Sequence, residues 1–366
     1  MTLFTPVSSP NRPIRFLVVG AGQMGRAWLQ VLNESPDVEV AGIVDLDLEL
    51  ARGAAESAGG ETSVDTSVSR LAKRTGAVAA VNVTIPEAHH LVNSEALESG
   101  LHVLCEKPLA PTVSMALRTA AVARSSSRLL MVSQSRRYLH ALSAFRGQLA
   151  EMGEVGFLVA EMYRGPHFGG FRERMPHVLL VDMAIHTFDA ARFLLDGDAV
   201  SVYCEEFNPK WSWYAGASAA TAVFEMSGGR RFTYSGSWCS AGFETSWNGR
   251  WRASGARGTA LWDGEGAPQL DLDDGGVLVP DLARTGPEGI AGALAEFVTA
   301  LRSGISPSGE ASRNIGSLAM VEAAVRSAQQ GKRVRIADVL SSALTRAMAD
   351  EPDGEQHDLL ASVLLN

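Results

Sequence analysis

The sequence has only three cysteines in 366 residues, Cys105, Cys204 and Cys239, with no CxxC and no Cys/His ligand spacing. That excludes a disulfide framework and a structural zinc site, and a reducing compartment with no bound metal is expected. No stretch of about 18 consecutive apolar residues occurs, so no membrane-spanning helix is expected. The first dozen residues, MTLFTPVSSPNR, lack a charged n-region, a continuous apolar core and a twin arginine, and the cytoplasm is the expected location. There is no run of five or more basic residues, and 32 Lys and Arg against 41 Asp and Glu give a net charge of −9. Nucleic acid and anionic membrane are therefore not expected partners, and a locally recognised small molecule is.

What remains is an ordinary folded chain, 46% hydrophobic and 20% charged, long enough for two domains. Short β-branched runs at Phe16–Val19, Val38–Val44, Val78–Val83, His102–Cys105 and Leu129–Val132 alternate with helical spacing over Gln23–Glu34, Leu46–Ala58, Glu87–Ser99 and Thr112–Ala123. Such alternation predicts an α/β fold whose N-terminal part, residues 1–133, is a doubly wound parallel sheet of five strands, with Gly100 as a helix stop. Residues 134–349 read as a second α/β domain. After one helix come the strand-like segments Gly156–Tyr163, Ala199–Glu206, Ser218–Glu225, Arg231–Ser237 and Thr245–Ala253, predicting an open, mainly antiparallel sheet. The stretch Gly264–Gly289 reads as loops, helices return at Ile290–Arg302 and Asn314–Gln330, and 350–366 is a tail whose apolar Leu359–Leu365 suggests a frayed or docked helix.

The segment GAGQMG follows the first strand and opens the first helix, and Asp45 stands twenty residues beyond Gly25 at the end of the second strand. Gly20 permits the tight turn, Gly22 admits backbone to a pyrophosphate, and Gly25 allows close helix-strand packing, while the helix N-terminus offers N–H groups to phosphate. Gly20, Gly22, Gln23, Met24, Gly25 and Asp45 are thus the candidate dinucleotide site. A carboxylate at position 45 suits the two hydroxyls of NAD and repels the 2′-phosphate of NADP. Asp47 reads as a helix N-cap.

The strand candidate His102–Cys105 runs into Glu106-Lys107-Pro108 at the carboxyl edge of the parallel sheet, where ligands of such folds sit. Further on, Asp182, His186 and Asp189 fall at i, i+4 and i+7 of an apolar helical run, three ionisable groups on one predicted face. Burying them is costly unless they are paired or used. Arg164, His167, Arg172 and Arg174 lie in a glycine-interrupted loop just before, and His167 and Arg172 are candidate substrate contacts. Trp211, Trp213, Tyr214, Trp238, Trp247 and Trp251 are concentrated between positions 211 and 251. Their rings suit stacking on a sugar, but the common-face spacing of Trp211 with Trp213 and of Trp247 with Trp251 fits sheet core or a subunit interface better.

The ordered pieces GAGQMG with VDLD, TIPEAHH, GLHVLCEKPLA, VSQSRRY with GEVG, and VDMAIHTFD resemble the Gfo/Idh/MocA family of glucose-fructose oxidoreductase and inositol dehydrogenase relatives, over about residues 14 to 195. The resemblance implies an N-terminal Rossmann domain, a C-terminal α/β domain that oligomerises, and an NAD-dependent dehydrogenase acting on a sugar, sugar derivative or cyclitol. It implies that Lys107 hydrogen-bonds the reacting oxygen, Asp182 orients the substrate and His186 is the general acid/base, that Glu106 supports the lysine, and that the Lys107-Pro108 bond is cis. Thr84, Ile85 and Pro86 would line the nicotinamide ring pocket. His90 falls where the family has a histidine near the cofactor and reads as structural support there, with His89 solvent-exposed. Glu87 stands where an asparagine is commoner in the family. A homodimer or homotetramer is implied. The alternatives are an NAD-recycling lyase or glycoside-cleaving member, and a non-catalytic dinucleotide-binding regulator.

Overall fold

The computed structural model describes residues 3–7, 12–59, 62–273, 275–282, 286–351 and 353–364. The chain divides into two compact units: residues 1–135, 287–315 and 342–366 form the first, and 136–286 and 316–341 the second. The chain therefore returns twice to the first unit, a path that the sequential reading of 134–349 does not contain.

In the first unit the strands are β1 (Ile14–Val19), β2 (Val38–Val44), β3 (Ser63–Asp65), β4 (Ala79–Asn82), β5 (His102–Glu106) and β6 (Leu130–Ser133), separated by helices α1 (Gln23–Glu34), α2 (Leu48–Ser57), α3 (Val68–Thr75), α4 (Pro86–Glu98) and α5 (Val113–Ser125). The sheet is wholly parallel in the order β3-β2-β1-β4-β5-β6. Strand order reverses at β1 and β4, and their carboxyl ends open a crevice where ligands of such sheets bind. Its central strands are continuous apolar runs because both faces are covered, and Phe16, Leu17, Val18, Ala80 and Val81 are fully buried. The sheet has six strands, not five. β3 and α3 have weak sequence signals: β3 is a three-residue edge strand, and α3 is short, N-capped by Ser67 and stopped by Gly76 in the left-handed region.

The helix Glu355–Val363 is docked on α5, burying Leu360 and Val363, with Arg124 Nη1 donating to Ser362 Oγ at 2.7 Å. Leu365 lies outside the described residues. The buried ring of His102 in β5 accepts the Leu129 N–H at Nδ1, 3.0 Å away, and burial, aided by Arg128, pulls its pKa down to about 4. The folded value lies below the unfolded one, near 6.5, so the neutral ring's contribution is complete above that pH and is lost as pH falls toward 4. The urea midpoint should therefore drop across this window, and drop less in His102→Asn, whose Oδ1 keeps the acceptor without taking a proton. An unchanged acid limb in that variant would remove His102 as a contributor.

The second unit holds α6 (His140–Glu151), β7 (Val155–Tyr163), α7 (Ile185–Leu195), β8 (Ala199–Phe207), β9 (Ala219–Met226), β10 (Arg231–Ser237), β11 (Arg250–Gly255), β12 (Gly258–Trp262), β13 (Gln269–Leu272), β14 (Val277–Leu278) and β15 (Val334–Arg335). They form one sheet, β14-β13-β12-β11-β7-β10-β9-β8-β15, antiparallel except for the β7–β10 pair. The stretch expected as loops contains β13, paired to β12, and β14, paired to β13, and this pairing supplies order that their Gly/Asp-rich composition hides. The strand expected at Thr245–Ala253 begins only at Arg250, because Ser246 and Asn248 hold the preceding residues in a turn against Gly264 O. One sheet face packs on α7 through Phe188, whose ring meets Phe224, Phe232 and Tyr234 at centroid distances of 4.8, 6.1 and 5.4 Å. The opposite face carries the cross-strand row Tyr203, Val223, Thr233, Val159, Arg252 and Leu261, beside exposed Phe157 and Phe207. No helix among the described residues is long and apolar enough to cross a membrane.

Candidate active site

In the first unit the glycine turn is dictated by space. Gly20 has φ +106°, and a Cβ there would lie 2.9 Å from Val83 backbone atoms; a Cβ on Gly25 would lie 2.0 Å from Gly20 O. These contacts seat α1 on β1 and β4, as tight packing of helix on strand requires. At Gly22, the N-cap of α1, nothing lies within 4 Å of where a Cβ would be, and no side chain caps the helix. The first-turn N–H groups are thus left to solvent or a ligand, with Gln23 and Met24 exposed beside them. Asp45, at the end of β2, reaches back so that Oδ2 accepts the Ala21 N–H at 2.7 Å and Oδ1 accepts the Asp47 N–H at 2.9 Å. Asp47 caps α2 through the N–H groups of Glu49 and Leu50. A bare helix N-terminus, a side-chain-free turn and a carboxylate fixed against that turn are what a dinucleotide's pyrophosphate and ribose require, and these residues fit one.

The next two strand ends supply two loops. Beyond β4, Thr84 is held by Asn82, whose Oδ1 accepts the Thr84 hydroxyl at 2.7 Å and its N–H at 3.2 Å; Ile85 is exposed and Pro86 opens α4. Beyond β5, Glu106 accepts the Trp28 indole N–H at 3.0 Å and the Lys107 backbone N–H at 3.3 Å. Burial raises the Glu106 carboxyl pKa, partly offset by the Trp28 bond and by Lys107. The Lys107-Pro108 bond is cis.

His90 is buried with Nδ1 2.7 Å from Thr119 Oγ1 of α5. His89 is not solvent-exposed as expected but is 1% exposed. Its Nδ1 lies 2.6 Å from Pro108 O and its Nε2 3.1 Å from Thr84 O. The reason is the register of α4, which turns Leu91 to solvent and His89, His90 and Asn93 inward.

In the second unit, Asp182 lies in a π-helical turn, Leu179–Ala184, that runs directly into α7, with His186 half-buried in the first turn of α7. The helical spacing was legible, but the segment is not a regular α-helix, and widened turns of this kind recur at functional sites. Asp182 Oδ2 accepts Arg172 Nε at 2.7 Å, and the guanidinium lies 5.3 and 4.8 Å from the rings of Phe168 and Phe171. Asp189, third on the predicted face, plays a different part. It is 2% exposed and takes both Arg137 Nε and Nη2 at 2.6 Å, with Ser317 Oγ also at 2.6 Å. His167 stacks on Trp213 at 3.7 Å, and Arg164 covers Trp247 while pairing with Glu244. Trp238 and Trp251 are core, whereas Trp211 is 73% exposed in a turn and Trp213 lies on a loop, neither on a strand face. The sequence reading missed Arg136, a half-buried cation drawn down to about pKa 10 by desolvation, which reaches Trp247 O and Met183 Sδ and fastens the π turn to that loop. It also missed the His177–Glu206 pair. Neither stands in a spacing that announces it.

Two family models match the chain: residues 14–134 match an oxidoreductase family with an NAD-binding Rossmann fold, and residues 150–261 match the GFO/IDH/MocA C-terminal domain. The chain belongs to the GFO/IDH/MocA oxidoreductase family. Among curated family relatives, the inositol 2-dehydrogenase of Corynebacterium glutamicum (strain R) is 30% identical over 197 residues, 52% of this chain and 57% of that protein. The 1,5-anhydro-D-fructose reductase of Ensifer adhaerens is 31% identical over 195 residues, 50% of this chain and 57% of that one. The chain thus spans little more than half the length of these GFO/IDH/MocA relatives. A crystal structure of an oxidoreductase from Agrobacterium radiobacter, in complex with NAD+, L-tartaric acid and magnesium, superposes with a TM-score of 0.82 at 20% identity over 89% of this chain and 99% of that one. It shares the fold.

Proposed function

We propose that this protein is an NAD-dependent dehydrogenase that transfers hydride between nicotinamide and a secondary alcohol or ketone of a sugar, sugar derivative or cyclitol. The observation that carries the reading is Asp45 anchored on the glycine turn by Ala21, in a chain that also presents Lys107 at a strand end and Asp182 with His186 at a π turn. The curated relatives named for inositol and anhydrofructose chemistry support the substrate class. The glycine turn, the bare N-terminus of α1 and Asp45 would hold NAD, which would supply the hydride acceptor for the oxidised carbon. His186 accepts the hydroxyl proton on its imidazole, whose ordinary pKa near 6.5 suits that exchange. The Lys107 ammonium hydrogen-bonds the reacting oxygen and stabilises alkoxide charge. Asp182, oriented by Arg172, positions a substrate hydroxyl, and Thr84, Ile85, Pro86 and Glu106 support the ring pocket.

We place the protein in the cytoplasm as a homodimer or homotetramer. The open sheet face with Phe157, Tyr203, Phe207 and Leu261 supports self-association, and three buried, unbridged cysteines suit a reducing compartment. NADH formation across a panel of sugars, sugar acids and inositols, with NAD and NADP in parallel, tests the reading; cofactor binding with silence across a broad panel would overturn it. In the same assay Asp45→Ala should raise the NAD Kd about 10- to 100-fold, as loss of charge-assisted hydrogen bonds does, and should narrow the preference over NADP. Unchanged NAD affinity with no gain for NADP would remove Asp45 from the ribose site.

A further inference from the structure

His89 is a buried polar side chain with no role in the chemistry above, yet its ring lies against the carbonyls of two loops at the carboxyl ends of neighbouring strands. One carbonyl, Pro108 O, immediately follows Lys107; the other, Thr84 O, belongs to the loop Thr84-Ile85-Pro86. Beneath the ring a second brace joins the same strands. Thr84 Oγ1 donates to Asn82, Asn82 Nδ2 donates to Asn93 Oδ1 at 2.8 Å, Asn93 Nδ2 donates to Cys105 Sγ at 3.2 Å, and that thiol faces Glu106 O at 3.1 Å. This lower brace fixes the strand ends but stops short of Lys107. His89 reaches past it.

We propose that His89 is a positioning residue that straps the Lys107-Pro108 loop to the Thr84-Ile85-Pro86 loop and so sets the lysine and the ring pocket relative to each other. The inference rests on the dehydrogenase reading for the roles of those loops, while the strap itself is a property of the first unit. The ring makes its two contacts from opposite sides, Nδ1 toward the lysine loop and Nε2 toward the pocket loop. Burial pulls the imidazole pKa down, against the carbonyls of Pro108 and Thr84 and the Glu106 carboxyl, which draw it up; Lys107 lowers it further. Both partners are carbonyl acceptors, so Nδ1–H donates to Pro108 O in one tautomer and Nε2–H to Thr84 O in the other, and the two bonds form together when the ring is protonated.

Two amide side chains separate the contacts. The Asn amide nitrogen occupies the position of Nδ1 and the Gln amide nitrogen that of Nε2, so His89→Asn keeps the Pro108 contact and His89→Gln the Thr84 contact. Amide hydrogen exchange on the full-length protein, NAD titration and Tm are the readouts. In His89→Asn, exchange over 84–88 should speed at least tenfold with 106–110 within threefold of wild type, and the NAD Kd should rise five- to tenfold. In His89→Gln the pattern should reverse, with 106–110 accelerated, the NAD Kd within threefold, and kcat on the panel substrate down at least tenfold at unchanged substrate KM. Equal changes in both segments in both variants, or changes in neither, would overturn the strap, as would losses that merely follow Tm. A wild-type protein that turns over no panel member fails the dehydrogenase reading alone, and the exchange and titration patterns still decide the strap.

Discussion

His186→Asn should lower kcat about 10²- to 10⁴-fold on the substrate identified by the panel, while NAD binds within threefold of wild type. The range is that of a removed general base, because a secondary hydroxyl cannot shed its proton near neutral pH without an acceptor. Asparagine keeps the polarity at the head of α7 and cannot exchange a proton, so the fold is preserved while the pH-rate profile loses its imidazole limb. Lys107→Ala should cost a comparable factor for a different reason: it withdraws the cation that stabilises alkoxide charge, a contribution of about 10²–10³. Asp182→Asn should act chiefly on substrate KM, since Asp182 is already engaged by Arg172 and its proposed role is orientation. Steady-state kinetics over pH 5–10 with calorimetric NAD titration separate the three. A His186→Asn enzyme within fivefold of wild-type kcat, with its acid limb intact, would remove His186 from proton transfer.

How far these residues could be read from the sequence depended on whether local chemistry or distant packing set them. The glycine turn and Asp45 carry a fixed sequence spacing: a close backbone approach admits only glycine at Gly20 and Gly25, and the carboxylate twenty residues beyond Gly25 is tied to the turn by one backbone N–H. The Lys107 loop was legible because it ends an apolar strand. The π turn was not, since i→i+5 bonding leaves no periodic mark in six residues and Leu179–Ala184 look like any apolar helix. The adjacent histidines misled for a related reason. α4 buries His89, His90 and Asn93 while Leu91 is 71% exposed, the inverse of an ordinary amphipathic helix. That inversion is tolerable because each buried polar group has a partner, and those partners lie on β4, β5 and α5, whose proximity no local pattern encodes.

Asp189→Ala should be the most destabilising of the substitutions considered, by about 3–5 kcal/mol, without any direct effect on proton transfer. The carboxylate is enclosed by a two-point contact to Arg137, itself 9% exposed, and by Ser317 Oγ. Deleting it strands a guanidinium away from water, and the cost is that of the uncompensated charge, larger than the net worth of the pair. For a unit of this size the loss corresponds to a Tm drop on the order of 10 °C. Asp189→Asn separates charge from packing: it fills the same volume, so a loss close to that of the alanine variant would assign the cost to charge. Arg137→Met with Asp189→Ala removes both charges and should recover more than half of the loss, since buried ion pairs are often replaceable by apolar side chains. Recovery matters for the site as well, because Asp189 stands one helical turn beyond His186, and α7 must stay fixed for the imidazole to be held. If the double variant regains stability and kcat together, Asp189 serves the chemistry only through the helix it anchors. Regained stability with kcat still depressed more than tenfold would instead show that its charge reaches the proton-transfer step.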